Sequence, residues 1–229
     1  MSIHKNIKNI REAIAETAIA CNRDPATIKL LAVSKRHSID SIQEAIAAEQ
    51  FLFGENYIQE AQDKRERISN ADFHFIGHLQ SNKAKVAAEI FSMVETVDRI
   101  KLAKSLNRHL EKLEKKLDIL VQVNIGKDEN KSGVAPELTQ ALLEEIQSLP
   151  QIRSKGLMTI PPFSTNLEET RVHFKNLRKL SQECAAKNLF FDNDNVELSM
   201  GMSHDYTVAI EEGSTIIRVG TAIFGTRPE

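Results

Sequence analysis

Cysteine is scarce in this chain. Cys21 and Cys184 are the only two in 229 residues, far apart and without CxxC spacing. That pattern argues against a structural disulfide, and both read as inert packing or surface residues of a reducing compartment. Metal motifs are also missing: the seven histidines are scattered, with no HExxH and no paired Cys/His arrangement. No segment approaches the ~18 consecutive apolar residues of a membrane span. The N-terminal MSIHKNIKNIREAIAETA carries charges every few residues where a signal peptide would have an apolar run. A cytoplasmic protein is therefore expected. Nor is there charge of one sign: 30 basic against 32 acidic side chains leave a net charge of -2, without the basic face of a nucleic-acid binder.

What is present is enough for a sizeable core, with 41% hydrophobic and 27% charged residues. Ile3, Ile7, Ile10 and Ile14 recur at helical spacing and predict an N-terminal amphipathic helix over residues 1–22. Short apolar runs then alternate with helical patterns. The expected strands are IKLLAVSK (28–35), FLFGE (51–55), FHFIG (73–77), MVETV (93–97), DILVQVNI (118–125), IRSKGLMTI (152–160), VELSMG (196–201) and IIRVG (216–220). Between them, Ser38 can cap a helix carrying Ile42, Ala45 and Ile46, and Leu102, Leu106, Leu110, Leu113 and Leu117 form one stripe. Pro136 suits the first turn of the helix through Ile146, and Thr165 with Glu168 reads as a capping box. No linker or repeat divides the chain. Eight strands joined by helices predict a single α/β domain over 1–229: a (βα)8 TIM-type barrel over 28–225 with an extra N-terminal helix. An open doubly wound sheet is the alternative, and the absence of GxGxxG after the first strand weighs against it.

In such a barrel the C-terminal strand ends carry the site. Lys35 ends the first strand. It either snorkels to solvent or pairs with a carboxylate, or it is a partly desolvated amine, whose lowered pKa suits it to imine formation. The seventh strand ends in LSMGMS, offering Ser199, Gly201 and Ser203, and the eighth in RVGT, offering Gly220 and Thr221. Barrels often bind phosphate with the loops after these two strands. An imine-forming lysine facing a phosphate cradle points to pyridoxal 5′-phosphate (PLP). Arg218 would then face the pyridine nitrogen and keep it unprotonated, because a guanidinium is always charged. Alone, Arg218 reads equally well as a barrel-interior ion pair.

The blocks AVSK (32–35), FGENYIQEAQDK (53–64), HFIGHLQSNK (74–83), GLMTIPP (156–162), LSMGMS (198–203) and STIIRVGTAIFG (214–225) together resemble the PLP homeostasis proteins, the YggS/PROSC family. The resemblance runs from the first strand to the C-terminus. It implies a monomeric barrel related to the N-terminal domain of alanine racemase, with PLP on Lys35. It also implies Ser199, Gly220 and Thr221 near the phosphate with Ser203 beside them, Arg218 at the pyridine nitrogen, and Asn56 and Met158 lining the cofactor. His78 lies in a family block and reads as a mouth-facing histidine. Arg36 and His37 follow the lysine where the family commonly has Thr and another polar residue or Pro, and Thr159 stands where a smaller Ala or Cys is usual.

The racemases which this barrel resembles have a second domain, and a partner subunit supplies a catalytic tyrosine. With Glu229 as the last residue of the sequence, no such domain is expected, and the tyrosines are Tyr57 and Tyr206. Neither is an obvious second base for racemisation, which needs an acid/base on each face of the carbanion. The expected function is therefore a PLP carrier in vitamin B6 and amino-acid homeostasis, with PLP-requiring apoenzymes as recipients. The alternatives are a weak PLP-dependent racemase or lyase, and a Schiff-base aldolase acting on a sugar phosphate. KSLNRHLEKLEKK (104–116) reads as a solvated outer helix, and DNDN (192–195) as a loop.

Overall fold

The computed structural model describes residues 2–226. Eight strands appear in it: β1 Lys29–Val33, β2 Leu52–Glu55, β3 Asp72–Phe75, β4 Met93–Val97, β5 Leu117–Gln122, β6 Ile152–Met158, β7 Glu197–Ser199 and β8 Ile216–Val219. Each pairs in parallel with its neighbours in chain order, and β1 pairs with β8 from Lys29↔Ile216 to Ala32↔Val219. The sheet is thus a closed barrel, and the open-sheet alternative is excluded.

The helices are α1 Ile3–Ala20, α2 Ile39–Ala47, α3 Ile58–Arg67, α4 Ala84–Ile90, α5 Ile100–Leu113, α6 Thr139–Gln147, α7 Leu167–Ala186, α8 Tyr206–Glu211 and α9 Thr221–Phe224. Strand side chains alternate between two apolar layers. Leu31, Ile76, Met93, Leu120, Met158 and Ile216 form an inner cluster. Their neighbours Leu30, Ala32, Val94, Ile119, Val121 and Ile217 pack outward with the helices. Both faces are buried, which is why the strands read as near-continuous apolar runs rather than alternating ones. Gly54 belongs to the inner layer: a Cβ there would lie 2.3 Å from Leu31 Cδ2.

Helix α1 buries Ile3, Ile7, Ile10, Ile14 and Ala18 on one face. Its Asn6 Nδ2 donates to the Ile223 carbonyl (2.8 Å), and Arg23 beyond its end donates to the carbonyls of Ile210 (2.6 Å) and Ser214 (2.8 Å). Among the described residues no helix is long and apolar enough to cross a membrane.

Some expected boundaries move. The Ser38 Oγ accepts from the Ser41 N–H (3.2 Å) and caps α2 as expected. At α7 the cap is Asn166, whose Oδ1 accepts from the Glu168 N–H (3.1 Å), so the Thr165–Glu168 box is not used. Pro136 opens a 3-10 turn, Pro136–Leu138, that precedes α6. The leucine stripe is split: Glu114 takes a left-handed conformation (φ 52°) that stops α5, and Leu117 starts β5.

Candidate functional site

Strand β1 stops pairing as a strand at Val33, two residues before Lys35. Ser34 N–H still donates to the Gly54 carbonyl (3.1 Å), and the chain then turns through Arg36 at φ 61°. Lys35 therefore sits in the β1–α2 turn, half-buried, rather than on the strand itself.

The turn borders a cavity of about 250 Å³ across the C-terminal mouth, just below the ~300 Å³ at which small-molecule sites usually begin. Lys35, Asn56, Ser203, Arg218, Gly220 and Thr221 all line it, brought from the ends of β1, β2, β7 and β8. Val33, Ile76, Ile160 and Met202 supply its apolar wall. Met158 and Ser199, expected here, do not line it. Met158 is fully buried in the inner cluster, in the layer of wall residue Ile76. His78 is exposed and lies outside this cavity, its Nδ1 3.4 Å from Ser132 Oγ in an adjoining depression. His37 does line it, stacked on Phe224 with ring centroids 4.7 Å apart. Arg36 is exposed and lies over the Tyr57 ring (5.8 Å).

Two glycines shape the rim. Gly201 has φ 92°, a region that disfavours a side chain, and a Cβ there would be 2.5 Å from Ala209 Cβ. A Cβ on Gly220 would be 3.3 Å from Val33 Cβ, where β8 and β1 converge. The Gly220 carbonyl accepts from the N–H groups of Ile223 (2.9 Å) and Phe224 (3.0 Å), so the first amides of α9 lack partners within that turn.

Below the cavity runs a buried polar chain. Arg218 donates through Nη1 to Ser199 Oγ (2.6 Å) and through Nη2 to the Thr159 carbonyl (2.8 Å). Ser199 Oγ donates to Glu95 Oε2 (2.5 Å), and Glu95 Oε1 meets His74 Nδ1 (2.7 Å). The Thr159 hydroxyl is turned away, donating to the Val123 carbonyl (2.8 Å). Burial pushes the Arg218 guanidinium down, opposed by the charges of Glu95 and Asp205. Burial alone would raise Glu95, but the bond and charge of His74, the charge of Arg218 and the Ser199 bond together hold it below the ordinary range. Ser199 thus ties the arginine to the carboxylate from beneath the cavity. Sequence reasoning missed Glu95 and His74 as members of the site.

The donor set suits a small planar aldehyde with an anionic end. Lys35 supplies an amine, and Arg218 a fixed cation. Ser203 and Thr221 supply hydroxyls beside two glycine-shaped loops. Asn56 Oδ1 at the wall is buried without a hydrogen-bond partner, a polar atom left for a ligand to satisfy.

Comparisons with known proteins bear on the family and the fold. The family model for the alanine racemase N-terminal domain matches residues 2–228. A pyridoxal phosphate homeostasis protein of Vibrio alginolyticus is 41% identical over 232 residues, covering 99% of this chain and 98% of that protein. The structure of PipY from Synechococcus elongatus with PLP bound superposes with a TM-score of 0.81 at 37% identity, covering 93% of this chain and 100% of PipY. An alanine racemase of Clostridium difficile, 16% identical with a TM-score of 0.76, shares the fold; this chain spans 56% of its length.

Proposed function

Because this chain belongs to the alanine racemase N-terminal domain family, and within it to the pyridoxal phosphate homeostasis proteins, we propose that it holds pyridoxal 5′-phosphate as a Schiff base on Lys35. The observation that carries this reading is the convergence of Lys35, Arg218 and the β7 and β8 loops on one cavity. Bound there, the cofactor would supply an aldehyde, an electrophile suited to reversible condensation with the Lys35 amine.

The protein's own residues bind and orient. Ser203, Thr221 and the Gly220 backbone receive the phosphate. Arg218, held by Ser199 and the Thr159 carbonyl, would meet the ring nitrogen and would deny it a proton. Asn56 lines the wall, and Met158 backs it from the inner cluster. A ring nitrogen facing an arginine makes a weaker electron sink than one facing a carboxylate. The site is therefore suited to retention and release rather than to carbanion chemistry.

The tyrosines support the same reading over a racemase. Tyr57 is half-exposed beneath Arg36, and burial raises the Tyr206 hydroxyl. Neither lines the cavity, so neither tyrosine is placed to act there as a second base. The protein acts as a monomeric cytoplasmic carrier, with PLP-requiring apoenzymes as recipients.

The test is the absorbance of wild type and Lys35→Ala, each with and without added PLP. Wild type is expected to be yellow and to bleach on borohydride reduction, with the pyridoxyl tag recovered on the Lys35 peptide. The variant should stay colourless. A tag scattered over surface amines would overturn the proposal. A colourless wild type that traps a sugar phosphate on borohydride treatment would favour the aldolase.

A further inference from the structure

A second polar cluster lies behind Lys35, outside the cavity wall. Lys64 in α3 is nearly fully buried, and its ammonium donates to the Ser34 carbonyl (2.7 Å), Glu55 Oε1 (2.7 Å) and Glu60 Oε1 (2.6 Å). Three donors meet three acceptors, so the ammonium is saturated. Glu55 Oε1 also accepts from Ser34 Oγ (2.6 Å), and Glu60 Oε1 accepts from the Arg36 N–H (2.5 Å). Outside the cluster itself, the side-chain hydrogen bonds of Lys64, Glu55 and Glu60 among the described residues end on Ser34 or Arg36, the residues on either side of Lys35. Arg36 has a left-handed backbone, unfavourable for a residue with a side chain. The Glu60 bond holds it there.

Buried ion clusters are expensive to desolvate, and well-packed apolar residues often replace them without loss of stability. Burial pushes the Glu55 carboxyl up, and the Lys64 charge opposes it. A fold needing only cohesion at this spot could use leucines. Leucines, however, cannot fix the carbonyl of one residue and the N–H of the next but one.

We propose that Lys64, with Glu55 and Glu60, is a positioning device for Lys35, setting how readily its amine condenses with an aldehyde in the cavity without touching that ligand. This rests on the Schiff-base reading above. Its consequence is a split between two ligands. Pyridoxine 5′-phosphate keeps the ring and phosphate of PLP but has a hydroxymethyl group in place of the aldehyde, so it occupies the cavity without forming an imine.

The experiment measures dissociation constants of PLP and pyridoxine 5′-phosphate, and the rate of borohydride trapping at Lys35, in wild type, Lys64→Met and Glu60→Ala. Misplacing a reacting group by about an ångström can cost up to ~100-fold. Both variants should bind PLP about tenfold or more weakly and be trapped more slowly. Pyridoxine 5′-phosphate should stay within about twofold of wild type, the scatter of independent sites. Equal losses for both ligands, or no loss for either, would overturn the proposal. Should Lys64→Met fail to fold, Glu60→Ala decides, because the Glu60 side chain is 24% exposed and its truncation leaves the Lys64–Glu55 pair in place. A wild type that is never trapped at Lys35 would refute the cofactor reading itself, and is told apart by needing no variant.

Discussion

Replacing Ser199 by alanine removes one hydroxyl and breaks two bonds, to Glu95 (2.5 Å) and from Arg218 (2.6 Å), where all three side chains are buried. Hydrogen bonds to charged groups contribute ~1.5–3 kcal/mol each, so the upper limit is about 3–6 kcal/mol. Each charge keeps another partner: Glu95 retains His74 and Arg218 retains the Thr159 carbonyl. The lower end, about 3 kcal/mol, is therefore expected. For a chain of this length, ~2–4 °C of Tm accompanies each kcal/mol, which gives a fall of roughly 6–12 °C. Calorimetry at pH 7 without ligand measures it. Ser148→Ala is the control, since its hydroxyl bonds the Glu145 carbonyl at an exposed site and should shift Tm by about 2 °C or less. A Ser199→Ala protein within about 2 °C of wild type would refute the view that this hydroxyl ties arginine to carboxylate.

The same carboxylate sets an acid limit. Glu95 is held below the ordinary range in the folded state, so its stabilisation is full above its unfolded value and is lost as pH falls through the lower folded one. Denaturant melts between pH 7 and 3 should show Glu95→Gln less stable at neutral pH and less sensitive to acid, and parallel curves for the two proteins would refute this. Burial pushes the Cys184 thiol up to about 11, while Cys21 is partly exposed. A thiol reagent at pH 8 should therefore label one cysteine in the native protein and both after unfolding, with rapid native labelling of Cys184 as the contrary result.

The barrel was legible in sequence because each strand is buried on both faces and stands out as an apolar run between helical patterns. The strand ends were less so. IKLLAVSK reads as one run to Lys35, but pairing ends at Val33 because Arg36 turns left-handed, and no residue type there announces the turn. Asn166 and Thr165 both carry a capping oxygen, and adjacency alone could not choose between them. At the site, the residues lining the cavity were visible as strand-end polar groups, whereas their supports were not. Glu60 and Lys64 stand one helical turn apart, a spacing that ordinarily marks a solvated pair, and only the fold shows Lys64 buried behind Lys35 with Glu60 partly covered beside it. Glu95 was the available signal: a carboxylate in the middle of MVETV, a strand with every residue buried, needs an internal partner.

Closure through β1 and β8 has a kinetic side. Those strands stand near opposite ends of the sequence, and Gly220 reaches Val33 only once they have zipped together. Contacts of such long separation are the slow ones to form. A nascent chain on the ribosome therefore carries Lys35 early but gains the rest of the mouth last. Recovery of ligand binding after dilution from denaturant should trail the recovery of helical signal, and so time the final seam.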